Sequence, residues 1–119
     1  METINITPFF RLLDGVRILH WSVAKHSHHV AFGECYDALS EKADELVEDF
    51  KGNFPEVNMV YGDTPMDGIN VNEPYESFRS MYNEFRTEME QCAKSNSFKS
   101  LLDDMDVIAN KCCYLLRMN

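Results

Sequence analysis

Two amphipathic helices are predicted within residues 7–51, TPFFRLLDGVRILHWSVAKHSHHVAFGECYDALSEKADELVEDFK. Thr7 followed by Pro8 is typical of the N-cap and first turn of a helix. Apolar residues then recur at steps of three and four through two stretches. The two stripes consist of Phe9, Leu12, Leu13, Val16, Leu19 and Val23, and of Phe32, Cys35, Leu39, Ala43, Leu46 and Phe50. Because only KHSH lies between the stretches, we expect antiparallel neighbouring helices at about 7–26 and 28–51.

Two further helices are predicted at 74–94 and 97–117, with Ser97 as the cap of the second. Their stripes consist of Tyr75, Phe78, Tyr82, Phe85, Met89 and Cys92, and of Phe98, Leu101, Leu102, Met105, Ile108, Cys112, Leu115 and Leu116. Residues 53–73 contain prolines and glycines and no helical stripe, which is typical of a long connection. Two hairpins joined by such a crossover predict an all-α, ferritin-like four-helix bundle, with residues 1–119 as a single domain.

Composition limits the classes of function. The chain has 119 residues and a net charge of -9, from 20 acidic and 11 basic residues. This balance disfavours a general nucleic-acid binder and an anionic membrane surface as partner. The sequence has neither an apolar run long enough for a membrane span nor a signal-peptide pattern, so we expect a cytoplasmic protein. We therefore expect reduced thiols rather than disulfides at Cys35, Cys92, Cys112 and Cys113.

All four histidines fall within residues 20–29. His20 lies near the end of the first predicted helix and His29 near the start of the second, so the antiparallel hairpin brings both to one end of the bundle. Two imidazoles there could share a metal ion. His26 and His28 are expected to be exposed turn residues.

Carboxylates that could complete such a site are Asp44 and Glu48, one turn apart on the second helix. Fifteen residues of helix separate His29 from Asp44 by about 22 Å, so the four groups cannot meet within one chain. They meet if a second copy of this helix packs antiparallel across a two-fold axis near Asp37 and Ala38. The sequence thus predicts a homodimer through helix two with two shared sites, and leaves open whether dimers build a closed shell.

The same residues have a structural interpretation. His20 could cap backbone carbonyls at a packed helix end, and the acidic run SEKADELVED, residues 40–49, could be a solvated face. Asp103, Asp104 and Asp106 lie opposite the apolar stripe of the last helix or at its edge, and we expect them to be solvated. The sequence contains no nucleophile elbow, phosphate-binding loop or CxxC pair, so it predicts no catalytic side chains of these kinds.

Residues 19–52, LHWSVAKHSHHVAFGECYDALSEKADELVEDFKG, resemble the first hairpin of the Dps-like ferritins. In that family, an iron-oxidising site lies between two subunits, with two histidines from one and an Asp-xxx-Glu pair from the other. The resemblance implies that His20 and His29 bind iron together with Asp44 and Glu48 of a second copy. It departs from the family at Gly33, where an aspartate is usual, and in lacking a basic N-terminal tail, so we expect no direct DNA binding.

A second resemblance covers nearly the whole chain. The His-Trp pair at 20–21, GECYD at 33–37 and YLLRMN at 114–119 are similar to small phage-encoded Dps-like proteins of unassigned function. This resemblance implies the ferritin-like fold more strongly than any activity. The alternative function is therefore a non-enzymatic, oligomeric binding module in the host cytoplasm, with residues 53–73 as the contact surface for a protein partner.

Overall fold

The computed structural model describes residues 2–118, which form four α-helices and two short β-strands. In chain order the elements are β1 (Thr3–Asn5), α1 (Thr7–Ser22), α2 (His26–Asn53), β2 (Asn58–Val60), α3 (Pro74–Glu90) and α4 (Asn96–Arg117). The prediction of an all-α protein is confirmed, with the strand pair as an addition. None of the helices within residues 2–118 has the length and apolarity needed to cross a lipid bilayer.

The helices form a closed ring, in which α1 and α4 each pack against both α2 and α3. One end of the ring holds the strands and the α3–α4 turn, where Lys94 forms an ion pair with Glu2. The other end holds the α1–α2 turn, the start of α3 and the end of α4, where Arg117 contacts Tyr75. It follows that α1 and α4 run in one direction and α2 and α3 in the opposite one.

The predicted apolar stripes face the centre of this ring. All four helices and β1 contribute large side chains that are less than 2% exposed. These side chains are Ile4, Leu12, Leu19, Phe32, Leu39, Leu46, Phe50, Phe78, Met89, Phe98, Leu102 and Met105. Burial of apolar surface is the main favourable term in folding, so this core fixes the mutual positions of the helices and of the side chains on their outer faces.

The strands were not predicted. β1 and β2 pair in parallel, with Ile4 opposite Met59, and Ile4 is fully buried beneath the bundle. Three-residue strands are too short to show the alternation that identifies a strand in sequence. The pairing ties the beginning of the crossover to one end of the bundle, and residues 61–73 then lead to the start of α3 at the other end.

Helix boundaries differ from the predicted ones near the turns. α1 ends at Ser22 and α3 at Glu90, each four residues before the predicted end, whereas α2 begins at His26 and extends to Asn53. The α1–α2 turn therefore consists of residues 23–25. This earlier and tighter turn places all the residues from His26 onward on α2.

Two predicted helix caps are wrong. Thr7 is the first residue of α1 rather than its cap, and its hydroxyl accepts a hydrogen bond from the backbone N–H of Gly62. At α4 the cap is Ser95, whose Oγ accepts from the backbone N–H of Phe98 at 3.1 Å. Ser97 Oγ instead donates to Asp49 on α2, at 3.0 Å. The predictions failed because the hydroxyls of Thr7 and Ser97 contact residues that are distant in sequence, which the local pattern does not reveal.

Candidate functional site

His20 and His29 form a reciprocal pair across the α1–α2 turn. Nδ1 of His20 lies 2.7 Å from the carbonyl oxygen of His29, and Nδ1 of His29 lies 2.7 Å from the carbonyl oxygen of His20. The rings are stacked, with centroids 4.0 Å apart and planes inclined by 14°. Because a carbonyl oxygen only accepts hydrogen bonds, each Nδ1 carries the proton. In the neutral imidazoles, Nε2 is then the nitrogen with a free lone pair.

Gly33 makes room for this pair. A Cβ atom at position 33 would lie 3.0 Å from Cε1 and 3.3 Å from Nδ1 of His20, closer than most real contacts of this kind. Glycine inside a helix is unfavourable by about 1 kcal/mol relative to alanine, so its presence in α2 calls for a local reason. The reason here is the close approach of the His20 ring to the backbone of α2. Gly33, where Dps-like ferritins usually have an aspartate, thus provides the space that the His20 ring occupies.

The histidine pair lies at the surface, beside a cluster of Arg17, Trp21 and Tyr36. His29 is exposed and His20 is half-buried. Cζ of Arg17 lies 4.5 Å from the ring centroid of Tyr36 and 5.8 Å from that of Trp21, and the guanidinium also hydrogen-bonds the Tyr36 hydroxyl. Cation–π contacts of this kind hold the three side chains together. A second molecule can therefore reach the histidines and this cluster on one face.

Asp44 and Glu48 lie far along α2 from the histidines, on the exposed side of the helix. They border a groove between α1 and α2 whose walls include Phe10, Leu13 and Val47. Within residues 2–118 of a single copy, no three His, Cys, Asp or Glu side chains come together as a metal-binding group. Within these residues a single copy therefore brings no carboxylate to the histidine pair.

The other two histidines differ from each other. His26 is exposed, and its ring centroid lies 6.1 Å from that of His29. His28 was predicted to be an exposed turn residue, and this is wrong. It is half-buried in the first turn of α2, and its Nε2 lies 3.0 Å from the carbonyl oxygen of Leu116. Carbonyls in the last turn of a helix lack intrahelical partners, so His28 caps the end of α4.

One family matches the sequence over most of its length. The model of the family of unknown function DUF5856 matches residues 20–116, a segment that begins at His20 and contains all four candidate ligands. The chain belongs to DUF5856. No curated protein and no solved structure gives a significant match. Membership of DUF5856 agrees with the expectation of a family without an assigned function.

In this DUF5856 protein, sequence reasoning missed a polar network between α3 and α4. The hydroxyl of Tyr82 donates to Asp106 at 2.6 Å, and Nε of Arg86 donates to the same carboxylate at 3.0 Å. Burial and the Asp106 carboxylate both raise the pKa of Tyr82. Asp106 is therefore a half-buried partner of two side chains and not simply solvated as predicted, whereas Asp103 and Asp104 are exposed. Tyr82 and Arg86 are spaced by one helical turn, and this spacing is the sequence feature that could have indicated a shared partner.

The cysteines of the DUF5856 chain all have free thiols, as predicted. Cys35 on α2 and Cys112 on α4 are buried and face each other, and a hydrogen bond from the Cys35 thiol to Cys112, together with burial, raises the pKa of Cys35. Burial likewise raises the pKa of Cys113 and of Cys92. A raised pKa keeps a thiol protonated and poorly nucleophilic, so these residues act as core side chains.

Proposed function

We propose that this DUF5856 protein is a ferritin-like, Dps-like metal-binding protein whose iron site is shared between two copies of the chain. The observation that carries the proposal is the His20–His29 pair. Metal-binding histidines commonly donate their second ring nitrogen to a carbonyl or carboxylate, which fixes the tautomer and orients the ring. Both Nδ1 atoms are used in this way, so each Nε2 is the nitrogen left for a ligand.

Capping and metal binding are compatible in this arrangement. The two Nδ1 atoms cap backbone carbonyls, as the structural interpretation of the sequence anticipated, and they do so without using either Nε2. These contacts hold both imidazoles on one surface before a metal arrives. Because the stacked rings lie 4.0 Å apart with planes inclined by only 14°, the two Nε2 lone pairs do not converge, and binding of one ion by both rings requires the rings to turn apart.

The course of the chain supports a ferritin-like bundle. α1 and α4 run against α2 and α3, each hairpin has a short turn, and residues 54–73 connect opposite ends of the bundle. Four-helix bundles with one long crossover have this arrangement, and their metal sites are built from side chains on facing helices. Here the candidate ligands are on α1 and α2, whose outer face is free to receive a second bundle.

The ligand set suits ferrous iron. Two imidazoles and one or two carboxylates, with positions left for water or oxidant, are the ligands of many non-haem iron sites. His20 and His29 supply the nitrogens, and Asp44 and Glu48 of a second copy supply the oxygens and most of the neutralising charge. Since Gly33 takes the place of a further carboxylate, we expect one weaker or solvent-filled coordination position.

The proposed reaction is oxidation of ferrous iron, with iron as the substrate. Two Fe²⁺ ions each give up one electron to hydrogen peroxide, the O–O bond breaks, and two hydroxide ions and two Fe³⁺ ions result. Dioxygen is the alternative oxidant. The protein's part is to hold the ions at a fixed position, since the electrons come from iron and the chain supplies no redox group. We propose the cytoplasm as its location, and the host cytoplasm if the gene is phage-encoded.

Complementation between two inactive variants tests the shared site. One variant carries His20→Ala with His29→Ala, and the other carries Asp44→Asn with Glu48→Gln. Each alone should lose high-affinity Fe²⁺ binding and iron-dependent peroxide consumption. After unfolding and refolding in an equal mixture, half of the dimers are mixed and each has one intact site, so about a quarter of the wild-type capacity should return. No recovery in dimers shown to be mixed would contradict a shared site.

A variant on α4 serves as the control for lost negative charge. Asp103→Asn with Asp104→Asn removes two exposed carboxylates of α4, whose ion-pair partners are Arg86 and Lys42, and should leave iron binding unchanged. Equal loss in both acidic double variants would show general attraction of cations by the acidic surface instead of a specific site.

A second candidate function is favoured by the crossover. Tyr61 is 72% exposed and the adjacent Val60 is 43% exposed, which makes the crossover an apolar contact surface. The corresponding role is a non-enzymatic interaction module that uses the bundle as an oligomeric scaffold for a protein partner. If wild-type protein neither binds iron nor consumes peroxide, this function replaces the first; if His20→Ala abolishes peroxide consumption, it is excluded as the main role.

A further inference from the structure

Trp21 is a large, exposed side chain on the outer face of the α1–α2 hairpin. It is the sole tryptophan of the sequence, and it is 69% exposed. Its neighbour Arg17 stacks near its ring and on Tyr36, so the indole is held at the surface by cation–π contact. Tryptophan and arginine are the residues that most often dominate the binding energy of protein interfaces.

A groove lies at the other end of the same face. Its volume is about 250 Å³, which accommodates an indole ring, and its walls are mainly apolar. The lining residues are Ile6, Phe9, Phe10, Leu13, Ala43, Val47 and Met59, with Asp44 and Glu48 at the edge. Phe10 is 47% exposed there. Phe10, Arg17 and Trp21 are separated by seven and four residues on α1, so the groove and the indole share one side of the helix.

The two features match in position along the helices. Trp21 follows His20, which stacks on His29, so the indole is level with the first turns of α2. In an antiparallel pair with its two-fold axis near Asp37 and Ala38, residues at equal distances before and after the axis lie opposite each other, since each residue of a helix rises by about 1.5 Å. The first turns of α2 then lie opposite Ala43–Leu46 of the second copy. Ala43 and Asp44 line the groove. The pairing that brings the histidines to the carboxylates therefore also brings Trp21 to the groove.

Charge is complementary in the same arrangement. The end that carries Trp21 carries Arg17, Lys25 and Glu34, whereas the groove end carries Glu41, Asp44, Glu48 and Lys51, so the first is net basic and the second net acidic. An antiparallel pair of copies sets the basic end of each against the acidic end of the other. A parallel pair would set like charges together, so the charges favour the antiparallel arrangement.

We propose that Trp21 of each copy seats in the groove of the other, so that two indole rings anchor an isologous dimer. This inference rests on the two-fold pairing of the proposed function but requires no metal. The aromatic anchor would stabilise the interface before iron binds, and the neighbouring histidines and carboxylates would then be brought within reach of one ion.

Tryptophan fluorescence in metal-free buffer with chelator reports this contact directly, since Trp21 is the sole tryptophan and is excited at wavelengths that the tyrosines do not absorb. Sedimentation on the same samples gives the fraction of dimer. The proposal predicts that emission shifts to shorter wavelength and that acrylamide quenching falls severalfold as dimer replaces monomer. Trp21→Ala and the groove variant Phe10→Ala should each weaken dimerisation tenfold or more, which is the size of effect expected for an interface anchor.

The matched control is Tyr114→Ala, which removes an aromatic side chain that is 62% exposed on α4. It should leave dimerisation unchanged, and circular dichroism should show native helix content in all three variants. A dimer in which Trp21 is as quenchable as in the monomer would overturn the seating of Trp21 while leaving the shared iron site standing. A chain that stays monomeric at all concentrations would overturn both, whereas a normal dimer that binds no iron would overturn the proposed function alone.

Discussion

The imidazole of His20 lies directly against Gly33, so closely that a Cβ atom at position 33 would be 3.0 Å from its Cε1. In the resemblance to Dps-like ferritins, His20 matches a metal ligand, whereas Gly33 stands where that family usually has an aspartate. The contact joins these two residues. In the structure the absence of a side chain at position 33 allows the His20 ring to stack on His29 and reach its carbonyl. Gly33 therefore helps to hold the imidazoles of His20 and His29 in this pair.

Gly33→Ala tests this contact. Replacing an exposed helical glycine with alanine ordinarily stabilises a protein by about 0.5–1 kcal/mol. At position 33 we expect the opposite sign, a loss of about 1 kcal/mol in the free energy of unfolding, because the new methyl group displaces His20. Gly52→Ala in the last turn of α2 is the matched control, since nothing lies within 4 Å of a Cβ there. Urea unfolding measures both, and stabilisation by both would refute the steric role of Gly33.

The reciprocal hydrogen bonds predict that His20 and His29 are energetically coupled. His29→Ala removes a donor to one carbonyl and the stacking partner of His20, and we expect a loss of about 1 kcal/mol. The double variant with His20→Ala should cost less than the sum of the single variants, because each single change already breaks part of the pair. Thermal and urea unfolding of the three variants give the coupling energy. His26→Ala, at an exposed position beside the pair, should change stability by less than about 0.5 kcal/mol, and strict additivity of the first two changes would contradict the coupling.

Tyr82→Phe tests the network between α3 and α4. The hydroxyl of Tyr82 donates to Asp106, so its removal should lower the free energy of unfolding by about 2 kcal/mol at neutral pH. Burial and the Asp106 carboxylate raise the pKa of Tyr82 in the folded protein above its usual value near 10. The unfolded chain then ionises first as the pH rises, and ionisation stabilises the unfolded state.

The difference in stability between wild type and Tyr82→Phe should therefore be constant below about pH 10 and shrink above it. Urea unfolding from pH 7 to 11 measures this difference, and the tyrosinate absorbance of the unfolded and folded protein checks its cause. Tyr114→Phe removes a hydroxyl at an exposed position and should change stability at neutral pH by less than about 0.5 kcal/mol. A difference that grows with pH would contradict the direction of the pKa change.

Periodic residues made the helices predictable, whereas contacts distant in sequence did not. The stripes from Phe9 to Phe50 and from Phe78 to Leu116 are buried because burial follows the helical repeat directly. The β1–β2 pairing joins residues more than fifty positions apart, and strands of three residues have no detectable repeat. Ser97 was predicted to cap α4, but Ser95 does so, and Ser97 instead contacts Asp49, which is distant in sequence.

The candidate site was partly predictable for the same reason. The nine-residue spacing of His20 and His29 across a short turn indicated that they lie at one end, and the structure brings their rings together. Their use of Nδ1 on each other's carbonyls and the role of Gly33 depend on side-chain placement, which spacing does not give. The meeting of the histidines with Asp44 and Glu48 of a second copy remains a prediction.

Anomalous X-ray scattering at the iron edge, from crystals grown with Fe²⁺ under anaerobic conditions, tests the central claim most directly. We expect two iron positions per dimer, related by a two-fold axis near Asp37 and Ala38. Each should be bound by Nε2 of His20 and His29 from one copy and by Asp44 and Glu48 from the other. Crystals of protein that binds Fe²⁺ in solution but shows no anomalous peak at this interface, or a peak only elsewhere, would contradict it.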